Sequence, residues 1–393
     1  RQHREICDYF MSPEYGTIRD IINYEKACIS AKSGTKSSSL RNTKQDLKNY
    51  QDIISHYKEL FSTTIVSAID NYMNALAHTD KYDLECSFAV VGLWFDYSYT
   101  KYKEYVQEVP DLIPTMEELF PKINANKFLP LFYQLAARVD VAGEMSSTQN
   151  SDYNTDFQRF LREQMVTSIC QMNPNECFPI LYALKKNNEK QNKYDEIENL
   201  IDSITSISDE LRNRWQQMSV LLGCYLTLAA APQMNEKENS LPRLDKKLLQ
   251  CTTNRMPFVT IITNSKEIGI KSFSDKITVL NGINRPLLLE ILGDDGIVYR
   301  QILKGNKDDL RQDAVMQQLF GLSSKLLSKR NANLSIRYYK VVPLSQTTGV
   351  IEFVEGSISI SDYLFRKEKE YTGAYTRYYV KEGTFPIAKI ISE

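Results

Sequence analysis

The chain is poor in the residues that hold metals and cross membranes. It has only three histidines, His3, His56 and His78. Its seven cysteines stand at 7, 28, 86, 170, 177, 224 and 251, and no two form a C-x-x-C pair. That pattern argues against a zinc site and suits a reducing compartment. No run of 18 apolar residues occurs, so no membrane-spanning helix is expected. The longest greasy stretch, Val220 to Pro232, is short and broken by polar residues, as in a buried helix. An excess of one charge is also missing. The net charge is −1 over 393 residues, which leaves no global field to draw the chain to nucleic acid or lipid. Signal-like features are absent and the chain opens on Arg1, which fits an internal piece of a larger protein.

With 42% hydrophobic and 25% charged residues, the chain has the composition of a globular protein with room for two or three domains. Two patterns divide it. In residues 1–240, β-branched alternation is nearly missing and apolar residues recur at spacings of three and four. Helices are predicted over Lys48 to Met73, Asp83 to Phe95, Thr115 to Phe120, Leu129 to Val139, Phe157 to Cys170, Phe178 to Leu184 and Ile197 to Leu228. Prolines at 110, 114, 121, 130, 174 and 232 fall near helix ends. Helix following helix suggests an α-solenoid, although no clean repeat period is present. Lys32 to Ser39 and Glu144 to Asp156 read as polar loops, and Asn235 to Asp245 as a charged linker.

Residues 241–393 follow a different pattern. Short apolar or alternating runs predict strands at Phe258 to Thr263, Ile277 to Leu280, Leu287 to Leu292, Ile297 to Leu303, Leu334 to Val342 and Val350 to Val354. One helix, Asp308 to Lys329, is inserted among them, with Leu310, Val315, Leu319, Leu322 and Leu326 on one broad apolar face. The expected fold class is therefore multidomain: an α-helical solenoid followed by an α+β unit, a mostly antiparallel sheet with one inserted helix.

The chemistry-bearing candidates cluster in the second part. Gly293 to Gly296 has the form of a glycine-rich loop, but Asp-Gly between alternating strands is a hairpin signal and two carboxylates repel phosphate. Asn281-Gly-Ile-Asn-Arg-Pro286 is the better phosphate loop, because Gly282 permits close backbone approach. In the strand at Val298 to Lys304, Ile302 and Lys304 share a face. If that face lines a cleft, Ile302 touches a base and Lys304 reaches phosphate as a point charge; the alternative is a solvated strand-end lysine. Asp308 or Asp309 suits a helix N-cap. Asp313, one turn inside, could hold Lys304 or orient a magnesium shell, or pair with Arg311 or Lys307 on the surface. Tyr339 and Phe353 read by default as core aromatics.

Residues 303–318 (LKGNKDDLRQDAVMQQ), 281–286 (NGINRP), 339–346 (YKVVPLSQ) and 349–352 (GVIE) together resemble the phosphatidylinositol-3-kinase-related protein kinases. Their likeness is to the branch that signals DNA double-strand breaks. Residues 127–138 (KFLPLFYQLAAR) resemble the C-terminal part of that family's helical FAT domain. The resemblance implies the C-terminal part of a FAT-like helical solenoid over 1–240, and a kinase N-lobe, hinge and start of the C-lobe over 241–393. It implies Lys304 as the phosphate-binding lysine and Asp313 as the helix acid beside it. Ile302, Tyr339, Glu352, Phe353 and Val354 would line the adenine pocket, and Leu280 and Pro286 would belong to the phosphate-loop hairpin. A tryptophan is usual at the hinge position that Phe353 fills. The connection Gly305 to Lys307 is one residue longer than usual, which leaves Asp308, Asp309 and Asp313 open as partners of Lys304.

Neither a GLGDRH-type loop nor a DFG-like segment occurs, so no catalytic or metal-ligating residue is assigned and the C-lobe is expected to be absent. For the parent protein, the resemblance implies a nuclear serine/threonine kinase that uses ATP and Mg2+ and phosphorylates proteins. It further implies action at double-strand breaks and telomeres, as a homodimer recruited by a break-sensing complex. The alternatives are a non-catalytic helical scaffold with a degenerate nucleotide fold, and a lipid kinase.

Overall fold

The computed structural model describes residues 59, 63–98, 112–139, 156–187, 193–230, 268–280, 284–305, 309–331 and 333–365. The predicted strand at Phe258 to Thr263, the linker at Asn235 to Asp245 and the loop at Lys32 to Ser39 lie outside them, as do Asn281 to Ile283 and Asp308.

Among the described residues of the helical part, α1 (63–78) comes first, and its Ile65, Ala68, Ile69, Met73 and Leu76 are buried at the spacing of one helical face. Next come α2 (Asp83–Ser98), with Asp83 and Glu85 at its positive end, and α3 (Ile113–Leu119), with a proline in its first turn. The stretch predicted as one helix from Leu129 is two elements. Ala125–Leu131 is a 3-10 turn that accommodates Pro130 and is capped by the Asn124 side chain; α4 (Phe132–Ala137) follows it. In the next helix, Phe160–Val166 is wound as a π segment before α5 (Thr167–Met172). There the Thr167 hydroxyl donates to the Arg162 carbonyl five residues back, at 2.8 Å. Trp94, Phe157, Phe160, Phe120 and Phe128 form a chain of ring contacts that joins these elements, with Trp94 and Phe157 centroids 4.5 Å apart.

Then come α6 (Pro174–Asn187), α7 (Lys193–Ser206) and α8 (Asp209–Ala230). The apolar spacing predicts an uninterrupted helix from Ile197 to Leu228, whereas the chain breaks at Ile207 and Ser208. The Ser208 hydroxyl accepts from the Leu211 N–H at 3.2 Å and starts α8 as a cap. A serine cap followed by Asp209 and Glu210 is a start signal that the apolar period masks.

The second part is a five-stranded antiparallel sheet in the order β1-β2-β3-β5-β4. Its strands are β1 (Ile270–Val279), β2 (Leu287–Gly293), β3 (Val298–Lys304), β4 (Val341–Pro343) and β5 (Gly349–Glu352). Gly293 to Gly296 is the expected hairpin turn, with Gly296 at φ +82 and its N–H donating to the Gly293 carbonyl at 3.1 Å. Between β3 and β4 lies α9 (Leu310–Arg330), and after β5 a short α10 (Ile360–Phe365).

Two expectations are corrected here. Residues 334–340 are not part of a strand. They run along α9, with the Ile336 N–H donating to the Ser324 hydroxyl at 3.1 Å and the Tyr339 N–H to the Gln317 side chain at 3.1 Å. Tyr339 is therefore in extended chain ahead of β4. The apolar face of α9 is also not a core face. Leu310 is buried, but Val315, Leu319 and Leu326 are about half exposed, because the helix packs through Leu310, Gly321 and Ser324 instead.

One cation fastens the first helices. The Lys127 ammonium donates to the Leu76 and Thr79 carbonyls, at 2.7 and 2.9 Å, and pairs with Asp80 and Asp83 at 2.7 and 3.0 Å. It thus satisfies the carbonyl end of α1 while holding the acidic start of α2. Burial by itself lowers the ammonium's proton affinity, but Asp80 and Asp83 outweigh it and hold the pKa above the usual lysine value.

Lys127→Met is expected to cost about 2–3 kcal/mol, the worth of charged hydrogen bonds left without their donor. An unfolding free energy from urea titration changed by less than about 0.5 kcal/mol would contradict this. Because the folded pKa is raised, the contribution is complete below about pH 10 and is lost only as pH rises through the raised value. Gly349→Ala tests the seat of α9. A Cβ there would lie 2.6 Å from the Val342 carbonyl oxygen and 2.8 Å from Leu310 Cδ1, so backbone must move. A loss of about 1–3 kcal/mol is expected; an unchanged unfolding midpoint would show that β4 and β5 yield freely.

Candidate functional site

β3 has two unlike faces. Gln301 and Leu303 point toward the helical part and are sealed, at 0% and 1% exposure. Arg300, Ile302 and Lys304 alternate with them on the other face and are half-buried. A strand buried on one side and partly open on the other is suited to line a cleft. Ile302 pairs with Leu288 on β2 and Ile351 on β5, so it sits in mid-sheet with strands on both sides. Lys304 ends the strand opposite Gly349.

Gly349 also places the inserted helix. Leu310, the first residue of α9, packs against it, which brings the start of α9 beside the end of β3. Asp309 is the N-cap: its carboxylate accepts from the Arg311 N–H at 3.0 Å. It also receives a two-pronged contact from the Arg311 guanidinium, at 2.8 and 2.7 Å. Hydrogen bonding from Arg311 holds the Asp309 carboxyl below its ordinary value. Of the three acids open as partners of Lys304, Asp309 is thus engaged elsewhere. Asp313 lies in the first turn of α9 and is exposed.

The remaining candidates fall along β5, its exit, and the hairpin mouth. Glu352 pairs with Gln301, donates its N–H to the Lys340 carbonyl and accepts the Lys340 N–H on its carboxylate, both at 2.9 Å. Tyr339 precedes this contact and is half-buried. The Phe353 N–H donates to the Arg300 carbonyl at 3.4 Å, which sets Phe353 beside Arg300 at the edge of β3. The Val354 carbonyl accepts from Ser357 in the turn that Gly356 makes at φ +71. Leu280 and Pro286 close the β1–β2 hairpin, with the Leu280 N–H donating to the Pro286 carbonyl at 2.8 Å. Arg285 beside them takes φ 40. The structure therefore gathers Ile302, Lys304, Glu352, Phe353 and Val354 around β3 and β5, with Asp313 on the adjoining helix.

Three contributors escape sequence reasoning. The Arg300 guanidinium sits 4.6 Å from the Phe353 ring centroid and forks onto the Glu355 carboxylate, with 2.8 Å from Nε. Lys340 pairs through its ammonium with Glu176 in the first turn of α6. Gln301 accepts the Tyr225 hydroxyl of α8 at 3.2 Å. Alternation along β3 could have flagged Arg300 as a face-mate of Ile302, and Gln301 as a polar residue among inward apolar ones. The other partners are 55 to 164 residues distant in sequence, beyond any local signal.

The described residues include no group of three or more His, Cys, Asp or Glu able to hold a metal, and no helix long and apolar enough to cross a membrane. Cys86, Cys170, Cys177 and Cys224 are buried.

Residues 299–385 match the family model for the phosphatidylinositol 3- and 4-kinases. The serine/threonine-protein kinase ATM of Arabidopsis thaliana is 30% identical over 81% of this chain, which spans 8% of that protein. The serine-protein kinase ATM of Sus scrofa is 29% identical over 97% of the chain, covering 13% of its length. The serine/threonine-protein kinase tel1 of Schizosaccharomyces pombe is 28% identical over 79% of the chain and 11% of its own. A solved structure described as the FAT and kinase domain of CtTel1 shares the fold with a TM-score of 0.77 and 24% identity. It aligns with 96% of this chain and with 26% of its own length. The likeness runs from the helices through the sheet, as the motifs at residues 127–138 and 303–318 imply. That continuous likeness makes the chain similar, along most of its length, to the ATM and Tel1 kinases, and its fold is that of a helical FAT region followed by a kinase N-lobe.

Proposed function

We propose that this chain supplies the ATP-gripping upper face of a serine/threonine protein kinase active site. One observation carries the reading: β3 presents Ile302 and Lys304 on a half-buried face, while Gln301 and Leu303 between them are sealed against the helices. In this reading Ile302, Tyr339, Glu352, Phe353 and Val354 surround the adenine, with backbone groups at Glu352 to Val354 offering hydrogen bonds. Lys304 meets the phosphates as a compact cation. Asp313, at the positive end of α9, orients that lysine. Leu280 and Pro286 hold the hairpin that covers the phosphates.

Phosphoryl transfer draws most of its acceleration from positioning and charge neutralisation. The described residues provide the positioning half. Mg2+ would neutralise phosphate charge, and we assign its ligands and the nucleophile-orienting residue to none of the residues described here. The acceptor is a protein hydroxyl rather than a lipid, since the matched relatives are named protein kinases. Residues 1–240 act as the FAT-like scaffold and 241–393 as the N-lobe. In this reading the whole protein acts in the nucleus, in the double-strand-break checkpoint and telomere maintenance, and is recruited by a break-sensing complex. A structural neighbour described as a C2-symmetric CtTel1 dimer supports a two-copy assembly.

In the full-length protein, Lys304→Ala is expected to lower peptide phosphorylation by about a hundredfold or more, with the melting temperature unchanged. Wild-type turnover by the variant would leave the helical-scaffold reading with a degenerate nucleotide fold.

A further inference from the structure

The sealed face of β3 contains an oddity. Gln301 is fully buried and its Nε2 has no hydrogen-bond partner among the described residues. Its Oε1 accepts from the Tyr225 hydroxyl at 3.2 Å, and Tyr225 is itself at 0% exposure. Around the pair the interface is apolar: the Phe273 ring lies edge-on to Tyr225 with centroids 6.2 Å apart, and Leu303 and Leu222 are buried nearby in the same core. A half-satisfied amide in such a seam is costly to hold.

α8 meets the chain again one turn later, just past the end of β3. Ala229 follows Tyr225 by four residues on the same helix face. A Cβ at Gly305 would come within 3.0 Å of its carbonyl oxygen. The two contacts, at Gln301 and Gly305, bracket Ile302 and Lys304. Apolar packing is non-directional and lets a strand shift along a helix. A hydrogen bond has a preferred length and angle and does not.

We infer that Gln301 is a positioning residue: through Tyr225 of α8 it fixes how β3 sits, and with it the placement of Ile302 and Lys304 in the cleft. The helical part would then reach the nucleotide face by a direct contact rather than by packing alone. The consequence for the nucleotide rests on the kinase reading above; the consequence for β3 itself does not.

The test uses the full-length protein as wild type, Tyr225→Phe, and the Tyr225→Phe/Gln301→Leu pair. Binding of Mg-ATP is followed by calorimetry, and backbone amide exchange of residues 301–304 is followed without nucleotide. Tyr225→Phe is expected to weaken Mg-ATP binding about fivefold, the worth of one net hydrogen bond. It should speed exchange in β3 by a similar factor. The double variant removes both partners of this hydrogen bond, so its melting temperature should return toward wild type. Its Mg-ATP affinity and β3 protection should stay low, because the directional contact is still missing. Recovery of all three would overturn the inference and make the pair purely structural, and so would a Tyr225→Phe protein with unchanged exchange. If wild type fails to bind Mg-ATP, or Lys304→Ala binds it equally well, the kinase reading fails; the exchange measurement still decides the role of Gln301.

Discussion

The open face of β3, with Ile302 and Lys304 on it, depends on the burial of the opposite face beneath α8. A single apolar core runs from the helices into the sheet, through Leu221, Leu222, Tyr225 and Leu228 to Phe273, Ile291, Leu303 and Val350. Because side chains alternate along a strand, sealing Gln301 and Leu303 forces Arg300, Ile302 and Lys304 to the other side. A one-residue slip would bury the lysine and expose the leucine. The register with β2 and β5 and the contact with α8 thus protect the same arrangement from opposite edges.

Around this core the polar contacts differ in weight. Lys329 with Glu85 is an exposed pair, and pairs of that kind contribute little in water. Lys127 is different, since it is largely buried and serves two carbonyls as well as two carboxylates. Lys340 is intermediate: its side chain is 19% exposed, its ammonium reaches Glu176 of α6, and its backbone N–H reaches Glu352. The helices therefore hold the sheet at two places with different chemistry. One is the Tyr225 hydrogen bond behind β3; the other is an ion pair at the residue that anchors the end of β5.

The sequence made the division into helices and sheet plain, because period and β-branching change together after residue 257. Strand alternation also put Ile302 and Lys304 on one face, as they stand in the fold. The sequence misplaced features decided by long-range partners. Residues 334–340 alternate like a strand, yet Ser324 and Gln317 on α9 take their N–H groups away from the sheet. Val315, Leu319 and Leu326 have the spacing of a core face, yet small residues at Gly321 and Ser324 let α9 pack by another side. The break at Ser208 was hidden because the apolar period carries on across it. Gln301 looks like a surface residue in sequence and is fully buried in the fold.

The two cations on the open face of β3 also give that face a direction. Arg300 and Lys304 are four residues apart, about 13 Å along a strand. At the Phe353 end, the Arg300 charge is matched by the Glu355 carboxylate and its guanidinium lies against the Phe353 ring. Guanidinium over an aromatic face is a favourable pairing that also fixes the ring's orientation. In the proposed nucleotide-binding reading, an arginine without that carboxylate would attract phosphate at the wrong end and allow a nucleotide to bind reversed. Under the same reading, Glu355 leaves this end as a ring with backbone hydrogen-bonding groups, and Lys304 would meet the phosphates at the other. The phenylalanine, where the family resemblance leads one to expect tryptophan, would then work with a neighbour that orients its ring and whose charge Glu355 offsets.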